Sequence, residues 1–319
     1  MVSSLLKTDM AGLHLKTPLI AASGTFGFGI EFADLVPLEQ VGAVCVKGLS
    51  LTPSCGNCGQ RVVETPSGML NAIGLENPGC AYFLEHILPK LQTFDVPVIA
   101  NIYGHSIEEY AAVAQALDVN GVSAVEINIS CPNVKQGGLA FGTDPQTAAK
   151  VVKAVKANTH KPVITKLSPN VTDIVALAQA AEEAGSDALS LINTLLGMKI
   201  DIRTHRPVLG NMVGGLSGPA VRPVAVRMVY QVAQHVRIPL IGMGGVERVE
   251  DVVEMMMAGA SAVAVGTANL YQPDTLLTLT RELQDYCVRE KVSCVQDVVG
   301  QALPQGKQSM PYFQKKEKV

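Results

Sequence analysis

The sequence has little of what marks membrane, secreted or nucleic-acid-binding proteins. Among its 319 residues there is no tryptophan, aromatic residues make up 4%, and the formal net charge is −3. Because neither sign of charge dominates, neither nucleic acid nor an anionic membrane is an expected partner. No apolar run approaches the roughly 18 residues of a membrane span, and the first ten residues hold no apolar segment of signal-peptide length. We therefore expect a soluble, cytoplasmic protein.

Cysteine is also used sparingly, and its pattern argues against a disulfide framework or a metal site. The chain has seven cysteines, an odd number that favours reduced thiols. Cys55 and Cys58 form the single Cys-x-x-Cys, and no second pair stands at a spacing that would complete a zinc or iron–sulfur site. We expect this pair to lie in an exposed turn, with a metal or redox role as the alternative. Four others are expected to pack as ordinary apolar side chains: Cys45, Cys80, Cys287 and Cys294.

What the chain does have is a repeated alternation of apolar runs and helical segments. Hydrophobic residues make up 48% of the sequence, enough for a large core. Eight short β-branched runs are mostly followed by segments of helical period, which predicts a single (β/α)₈ TIM barrel domain over residues 1–319. A doubly wound open sheet is the alternative, although it would normally carry a glycine fingerprint in its first crossover. The expected strands are 18–22, 43–46, 97–102, 124–129, 162–166, 188–192, 238–241 and 262–265, and the expected helices are 107–119, 145–158, 171–184, 221–235, 249–258 and 273–290.

Two connections in this alternation are unusually long. Residues 49–78 and 199–219 each insert a segment rich in glycine and proline after a strand. In a barrel, such segments follow the carboxyl ends of strands, the face on which ligands bind. We expect both insertions to cover that face as lids.

Polar residues and glycines follow nearly every predicted strand, where they would share one mouth. Lys47 and Lys166 close apolar strands, and a buried ammonium requires an anionic or strongly accepting partner. Glycines after the last two strands let backbone amides face a ligand, as in the phosphate sites of barrels, with tight turns as the alternative explanation. The residues expected to form this phosphate site are Gly218, Gly244, Gly245, Gly266 and Thr267.

Carboxylates are missing from the strand ends. Glu126 lies well back in its strand, and the six histidines are scattered. Aldolases and isomerases of sugar phosphates generally need a carboxylate or histidine base at such a position, so this chemistry is disfavoured. Flavin mononucleotide (FMN) would fill the phosphate site and also supply redox chemistry.

One thiol stands where a predicted strand gives way to a loop. Cys131 precedes Pro132, which removes a ladder donor and holds the residue before it extended. Asn128 and Asn133 flank this thiol, and side-chain amides offer both a donor and an acceptor to a planar heterocycle.

Taken together, these motifs resemble those of the dihydroorotate dehydrogenases over residues 19–272. The specific matches are Ala22-Ser-Gly-Thr25, Val46-Lys-Gly48, Asn71-Ala-Ile-Gly-Leu-Glu-Asn-Pro-Gly79, Asn128-Ile-Ser-Cys-Pro-Asn133, Ile164-Thr-Lys-Leu167, Ile192-Asn-Thr194 and Gly244-Gly245. The resemblance implies one FMN per chain, held by Ser23, Lys47, Gly48, Asn101, Asn128, Lys166, Ile192, Gly218, Gly244, Gly245, Gly266 and Thr267. It implies that the dihydropyrimidine is held by Lys47, Asn71, Ala72, Ile73, Gly74, Leu75, Asn128, Asn193 and Thr194.

The resemblance also implies a reaction and a partner. Cys131 would take the C5 proton of dihydroorotate while the C6 hydride passes to FMN, and Lys166 would stabilise the charge that gathers on the ring. Cysteine rather than serine at this position is similar to the cytosolic enzymes and not to the membrane-bound, quinone-reducing type. The segment 64–75 is similar to the NAD-linked kind, in which a homodimer of catalytic subunits binds partner subunits that carry FAD and a [2Fe–2S] cluster, which together form a heterotetramer. The arm 52–61 departs from the family in having a cysteine pair and fewer prolines.

Three alternatives remain open from the sequence. The first two are FMN-dependent oxidation of another dihydropyrimidine and a fumarate-linked dihydroorotate dehydrogenase. The third is a flavin-free lyase or isomerase of sugar phosphates.

Overall fold

The polypeptide forms a closed barrel of eight parallel strands surrounded by helices. The computed structural model describes residues 2–129, 135–136, 139–140 and 142–304. Successive barrel strands pair around the ring, and the last pairs with the first. This confirms the predicted TIM barrel, and each expected strand is present within two residues of its predicted limits. The barrel strands are Leu19–Ala21, Ala43–Cys45, Val98–Ile102, Ala124–Asn128, Val163–Lys166, Ala188–Leu191, Leu240–Met243 and Ala262–Val265.

Both faces of the barrel strands are buried, which explains their nearly continuous apolar sequences. Residues such as Leu19 and Val44 point outward into the large core beneath the helices. Alternate residues such as Ile20 and Ile164 fill the barrel interior together with several alanines. Nearer the carboxyl ends, four strands carry polar inward side chains, which we call the polar layer and which mark the site: Asn101, Glu126, Lys166 and Ser190.

The helices pack around this sheet with conventional sequence signals. Ser106, Asp144 and Asp173 cap three of them through side-chain oxygens that accept backbone N–H groups. The helices that follow or cover barrel strands are Ile107–Ala116, Pro145–Lys156, Ile174–Glu183, Arg222–Ala233, Val249–Met257, Ala268–Tyr271 and Thr275–Arg289. The second connection instead contains Cys80–Tyr82, the π-helix Phe83–Ile87 and Leu88–Leu91. Short 3₁₀ turns lie at Ser4–Leu6, Ile30–Phe32, Leu38–Gln40, Pro219–Val221 and Val295–Val298.

The two long insertions join into one antiparallel sheet, which we call the arm sheet. Its strands in spatial order are Leu195–Met198, Val213–Ser217, Gly68–Asn71 and Val62–Thr65. The second insertion begins its sheet pairing at Leu195, four residues before its predicted start. Pairing between segments so distant in sequence was not predicted, and it joins the two insertions to each other. Shorter antiparallel pairs are Thr8–Met10 with Leu13–Leu15, Lys135–Gln136 with Leu139–Ala140, and Ile200–Asp201 with Arg206–Pro207.

Across the part of the chain that the structure describes, no helix has both the length and the apolar character needed to span a membrane.

Candidate active site

The polar layer inside the barrel is organised by one buried carboxylate. Glu126 is only 3% exposed, and it points inward from the middle of Ala124–Asn128. Its Oε1 accepts a hydrogen bond of 2.6 Å from Asn101 Nδ2 and one of 3.3 Å from the Cys45 thiol. Its Oε2 accepts a 2.7 Å hydrogen bond from Ser190 Oγ. Four strands of the barrel therefore meet at this side chain.

Each of the two predicted lysines has a carboxylate in this chain within ion-pair distance. The ammonium of Lys166, a residue 6% exposed, lies 3.8 Å from Glu126 Oε1. The ammonium of Lys47 lies 3.9 Å from Glu76 Oε2, which also accepts a 2.7 Å bond from Arg61. Hydrogen bonding from Arg61, with the charge of Lys47 second, lowers the pKa of Glu76. The requirement for an anionic partner is thus met partly from within the protein.

Beside this layer, one buried acceptor faces a space kept open by glycine. Within the described residues, Asn101 Oδ1 is buried and has no hydrogen-bond partner. A Cβ on Gly48 would stand 2.8 Å from this oxygen, so an alanine there would crowd it. A buried carbonyl oxygen is costly to leave unpaired, which marks this position as one for a ligand N–H. Asn101 and Gly48 therefore fit the edge of a flavin ring.

At the other end of the mouth, the predicted phosphate glycines come together beside a helix start. Gly218 and Gly245 adopt φ angles of 95° and 73°, and a Cβ on Gly245 would lie 2.7 Å from the Gly218 carbonyl. The same Cβ would lie 3.1 Å from the backbone nitrogen of Arg222, the first residue of Arg222–Ala233. Thr267 Oγ1 donates a 2.8 Å hydrogen bond to Ser217 Oγ, which joins the last strand's loop to the same place. This arrangement fits a phosphate group.

Gly244 and Gly266 differ in what surrounds them. A Cβ on Gly244 would meet Ala225 at 2.9 Å and Ile192 at 3.4 Å, so close packing of a helix is enough to require this glycine. It also places Ile192 near the glycine loops. A Cβ on Gly266 would meet nothing closer than 3.7 Å, from Ala22 and Thr25. The space over Gly266 is therefore open within the protein.

The predicted substrate residues gather between the barrel and the arm sheet. Asn193 Nδ2 donates to Asn128 Oδ1 at 3.5 Å, which brings two of them into contact. Asn71 Nδ2 donates to the Gly215 carbonyl at 3.4 Å, and the side chain of Thr194 packs against Gly215. The arm sheet thus aligns residues from both insertions over the mouth.

The remaining predicted residues belong to the segment 71–75, which we call the substrate loop. Buried side chains form hydrogen bonds with its last residue. Leu75 adopts a positive φ of 59°, and its carbonyl accepts hydrogen bonds from Tyr103 at 3.0 Å and from Asn77 at 2.9 Å. Ser50 donates to the Tyr103 hydroxyl at 3.0 Å and completes the network. Gly74 also has a positive φ, of 79°.

The cysteine arm, residues 52–61, packs against this loop. Asn57 donates from its backbone to the Ile73 carbonyl at 2.9 Å and from its side chain to the Ala72 carbonyl at 3.0 Å. Cys55 and Cys58 are free thiols, and both have the exposed position that was expected. The described residues contain no cluster of histidine, cysteine or acidic side chains that could hold a metal ion.

The predicted base, Cys131, and its neighbour Asn133 lie outside the described residues. A different cysteine, Cys45, lies in the polar layer beside Ser23, whose backbone contacts the thiol. Burial, and then the charge of Glu126, raise the pKa of Cys45 well above its ordinary value, so this thiol stays protonated. Cys45 was predicted to be ordinary packing, and its hydrogen bond to Glu126 adds a polar contact to that role.

Comparison with known proteins gives consistent results. The family model described as dihydroorotate dehydrogenase matches residues 5–286. A relative from Citrifermentans bemidjiense, named dihydroorotate dehydrogenase B (NAD(+)), catalytic subunit, is 56% identical over 91% of this chain and 96% of its own length. Relatives with the same name from Geobacter sulfurreducens and Bacillus pumilus are 54% and 52% identical, over 92% and 93% of this chain and 97% and 96% of their own lengths.

Proposed function

The chain belongs to the dihydroorotate dehydrogenase family, and from this premise we propose that it is the catalytic subunit of an NAD-linked enzyme that oxidises dihydroorotate to orotate in pyrimidine biosynthesis. The observation that carries the proposal is the convergence of Lys166, Asn101 and the asparagine pair Asn128 and Asn193 on one barrel mouth. The arm sheet covers the same face of the barrel.

The residues of the mouth fit FMN at both of its ends. Asn101 Oδ1 offers a buried acceptor to a ring N–H, and the ammonium of Lys166 lies in the same layer. Gly218, Gly245 and Thr267 offer backbone and hydroxyl groups to a phosphate. When bound, FMN supplies the hydride acceptor that the side chains themselves lack.

Dihydroorotate is an anionic ring with amide-like edges, and the residues opposite it match that chemistry. Asn71, Asn128 and Asn193 provide paired donors and acceptors for the ring. Lys47 provides a cation for the carboxylate, and its contact with Glu76 at 3.9 Å is long enough to leave that cation available to a second anion. The substrate loop, which Tyr103 holds in place, would pack against the ring and exclude water.

We further propose that Cys131 takes the C5 proton. Cys45 is unsuited to this task, since its raised pKa keeps the thiol protonated and the thiol already donates a hydrogen bond to Glu126. At neutral pH a thiol is ionised to a useful extent and can take a proton, whereas an alcohol, with its much higher pKa, supplies almost no alkoxide. Cys131→Ser should therefore keep FMN bound and lose most turnover near neutral pH, whereas full activity in this variant would exclude the thiol as base.

The relatives' names, which specify a catalytic subunit, support a partner that carries electrons onward to NAD⁺. We propose that this partner holds FAD and a [2Fe–2S] cluster and that two copies of each subunit assemble around a homodimer of this chain. Copurification tests this arrangement: light scattering should give a heterotetramer, and the visible spectrum should show iron–sulfur absorption only when the partner is present.

One experiment tests the function directly. The purified chain should show flavin absorption bands, and anaerobic addition of dihydroorotate should bleach them. Dihydrouracil, which lacks the carboxylate, should bleach them far more slowly, because Lys47 would then have no anion to bind. A chain that takes up no flavin would overturn the proposal, and rapid bleaching by dihydrouracil would redirect it to another dihydropyrimidine.

A further inference from the structure

The proposed function leaves Glu126 without a role, although this carboxylate links several strands of the polar layer. It is 3% exposed and accepts hydrogen bonds from three side chains on three other strands, with a fourth strand's ammonium 3.8 Å away. A buried charge of this kind is costly unless its surroundings compensate it. Apolar residues could fill the same volume at less cost, so the position invites a functional explanation.

Glu126 fixes the direction in which Asn101 presents its amide. An ionised carboxylate can only accept hydrogen bonds, so the group of Asn101 that faces it at 2.6 Å must be the NH₂. The carbonyl oxygen of Asn101 is then turned away from Glu126, and this is the buried oxygen that lacks a partner among the described residues. A ligand in this space therefore meets an acceptor rather than a donor.

Glu126 also sets the charge that a ligand meets. Lys166 is 6% exposed, and its ammonium lies 3.8 Å from Glu126 Oε1. The other two groups bound to Glu126, the Cys45 thiol and the Ser190 hydroxyl, are neutral donors. The negative charge of Glu126 opposes the positive charge of Lys166, so its removal would make the pocket more positive for any ring bound there.

We propose that Glu126 is a positioning residue of the ring pocket, which acts through Asn101 and Lys166 to fix the hydrogen-bond acceptor and the net charge that a bound flavin ring meets. The inference rests on the proposed function, because it takes FMN as the occupant of the mouth. Glu126 does not itself need to touch the ring.

The test compares Glu126→Gln with the wild type as purified holoenzymes. Gln has the same shape but can donate as well as accept hydrogen bonds. The side-chain amide of Asn101 can then rotate and present its NH₂ group, instead of its oxygen, to the ring. FMN should then dissociate more readily, with a dissociation constant about tenfold higher, as measured by flavin fluorescence released on dilution. The midpoint potential, measured against a reference dye, should rise, because loss of the Glu126 charge makes the pocket more positive and so stabilises the reduced anionic ring.

Two further variants separate these effects from a general loss of packing. Thr165→Val removes a buried 2.8 Å hydrogen bond to Ser186 on the outward face of the Lys166 strand, and it should leave both the affinity and the potential unchanged. Glu126→Asp keeps the charge but shortens the reach to Asn101. It should restore the potential to the wild-type value while FMN still dissociates more readily.

The outcomes are distinguishable. If the wild type itself binds no FMN, the proposed function fails. If the wild type binds FMN while folded Glu126→Gln shows an unchanged dissociation constant and potential, Glu126 is structural and this inference alone fails. Should Glu126→Gln not fold, Ser190→Ala provides the test, since it removes the 2.7 Å bond to Oε2 and keeps the charge. FMN affinity should then fall severalfold at constant potential, and unchanged affinity would refute the inference.

Discussion

The substitution Gly266→Ala distinguishes an effect on ligand binding from an effect on the stability of the fold. A Cβ at this position would meet Ala22 and Thr25 at 3.7 Å, which is an ordinary van der Waals distance, and the φ angle lies outside the left-handed region. Alanine therefore fits the protein without strain. Any effect of Gly266→Ala beyond a small change in stability must come from what binds in the open space above it.

The expected magnitudes differ greatly between the two effects. Replacing glycine by alanine at a compatible φ typically stabilises a protein by about 0.4–1 kcal/mol, because the unfolded chain loses freedom. For a domain of this size, the melting temperature should rise by no more than about 2 °C. A methyl group that overlaps a bound ligand costs about 1–3 kcal/mol, which corresponds to FMN binding roughly 5- to 150-fold more weakly.

Thermal unfolding with and without FMN measures both quantities. Flavin-stripped Gly266→Ala should melt at or slightly above the temperature of the flavin-stripped wild type. The rise in melting temperature that added FMN causes should be smaller in the variant, because this rise depends on the dissociation constant. Gly185→Ala is the matched control. There a Cβ also finds space, with Lys156 at 3.6 Å, but φ is +102°, so it should lower the melting temperature without changing FMN affinity.

A wild-type FMN affinity in Gly266→Ala would refute the reasoning. It would mean that the backbone of Gly266 does not face the ligand and that the glycines on this side serve turns alone. A large drop in the melting temperature of the flavin-stripped variant would instead contradict the contact distances from which tolerance is expected.

Three further outcomes are expected. Tyr103→Phe removes the hydroxyl that supports the substrate loop, so the KM for dihydroorotate should rise about fivefold in steady-state assays while FMN affinity stays constant. Iodoacetamide should modify the two exposed thiols of the cysteine arm in the native protein, whereas mass spectrometry should find Cys45 unmodified until the protein is denatured, because burial raises its pKa. Asp144→Ala removes a helix cap and should lower the melting temperature by about 2 °C at neutral pH. Because hydrogen bonds from Thr147 lower the pKa of Asp144 below 3.8, its stabilisation is present above that pH and lost as the pH falls further, so wild type and variant should converge in acid.

The barrel could be predicted because each of its strands carries a local signal. Runs such as 262–265 are short, apolar and β-branched, and the structure has that strand at the predicted limits. The arm sheet could not be predicted in the same way. Val213–Ser217 pairs with Gly68–Asn71 although more than a hundred residues separate them, and neither segment is a β-branched run of the kind that marks the barrel strands. Their pairing depends on the barrel bringing both insertions to the same face.

The site shows the same division between local and long-range information. Lys47, Lys166 and the terminal glycines were found because they stand at strand ends, where residues from different strands converge. Glu126 was set aside because it lies two residues before its strand ends. The usable signal was parity: Ala124, Glu126 and Asn128 alternate onto one face, so the residue that shares a face with Asn128 had to point inward. Register with Asn101, which pairs with Glu126 across the two strands, then makes their hydrogen bond a consequence of barrel geometry rather than of either segment alone. Strand parity should therefore be applied along the whole of each barrel strand, because a charge one layer below the mouth can decide which groups the mouth presents.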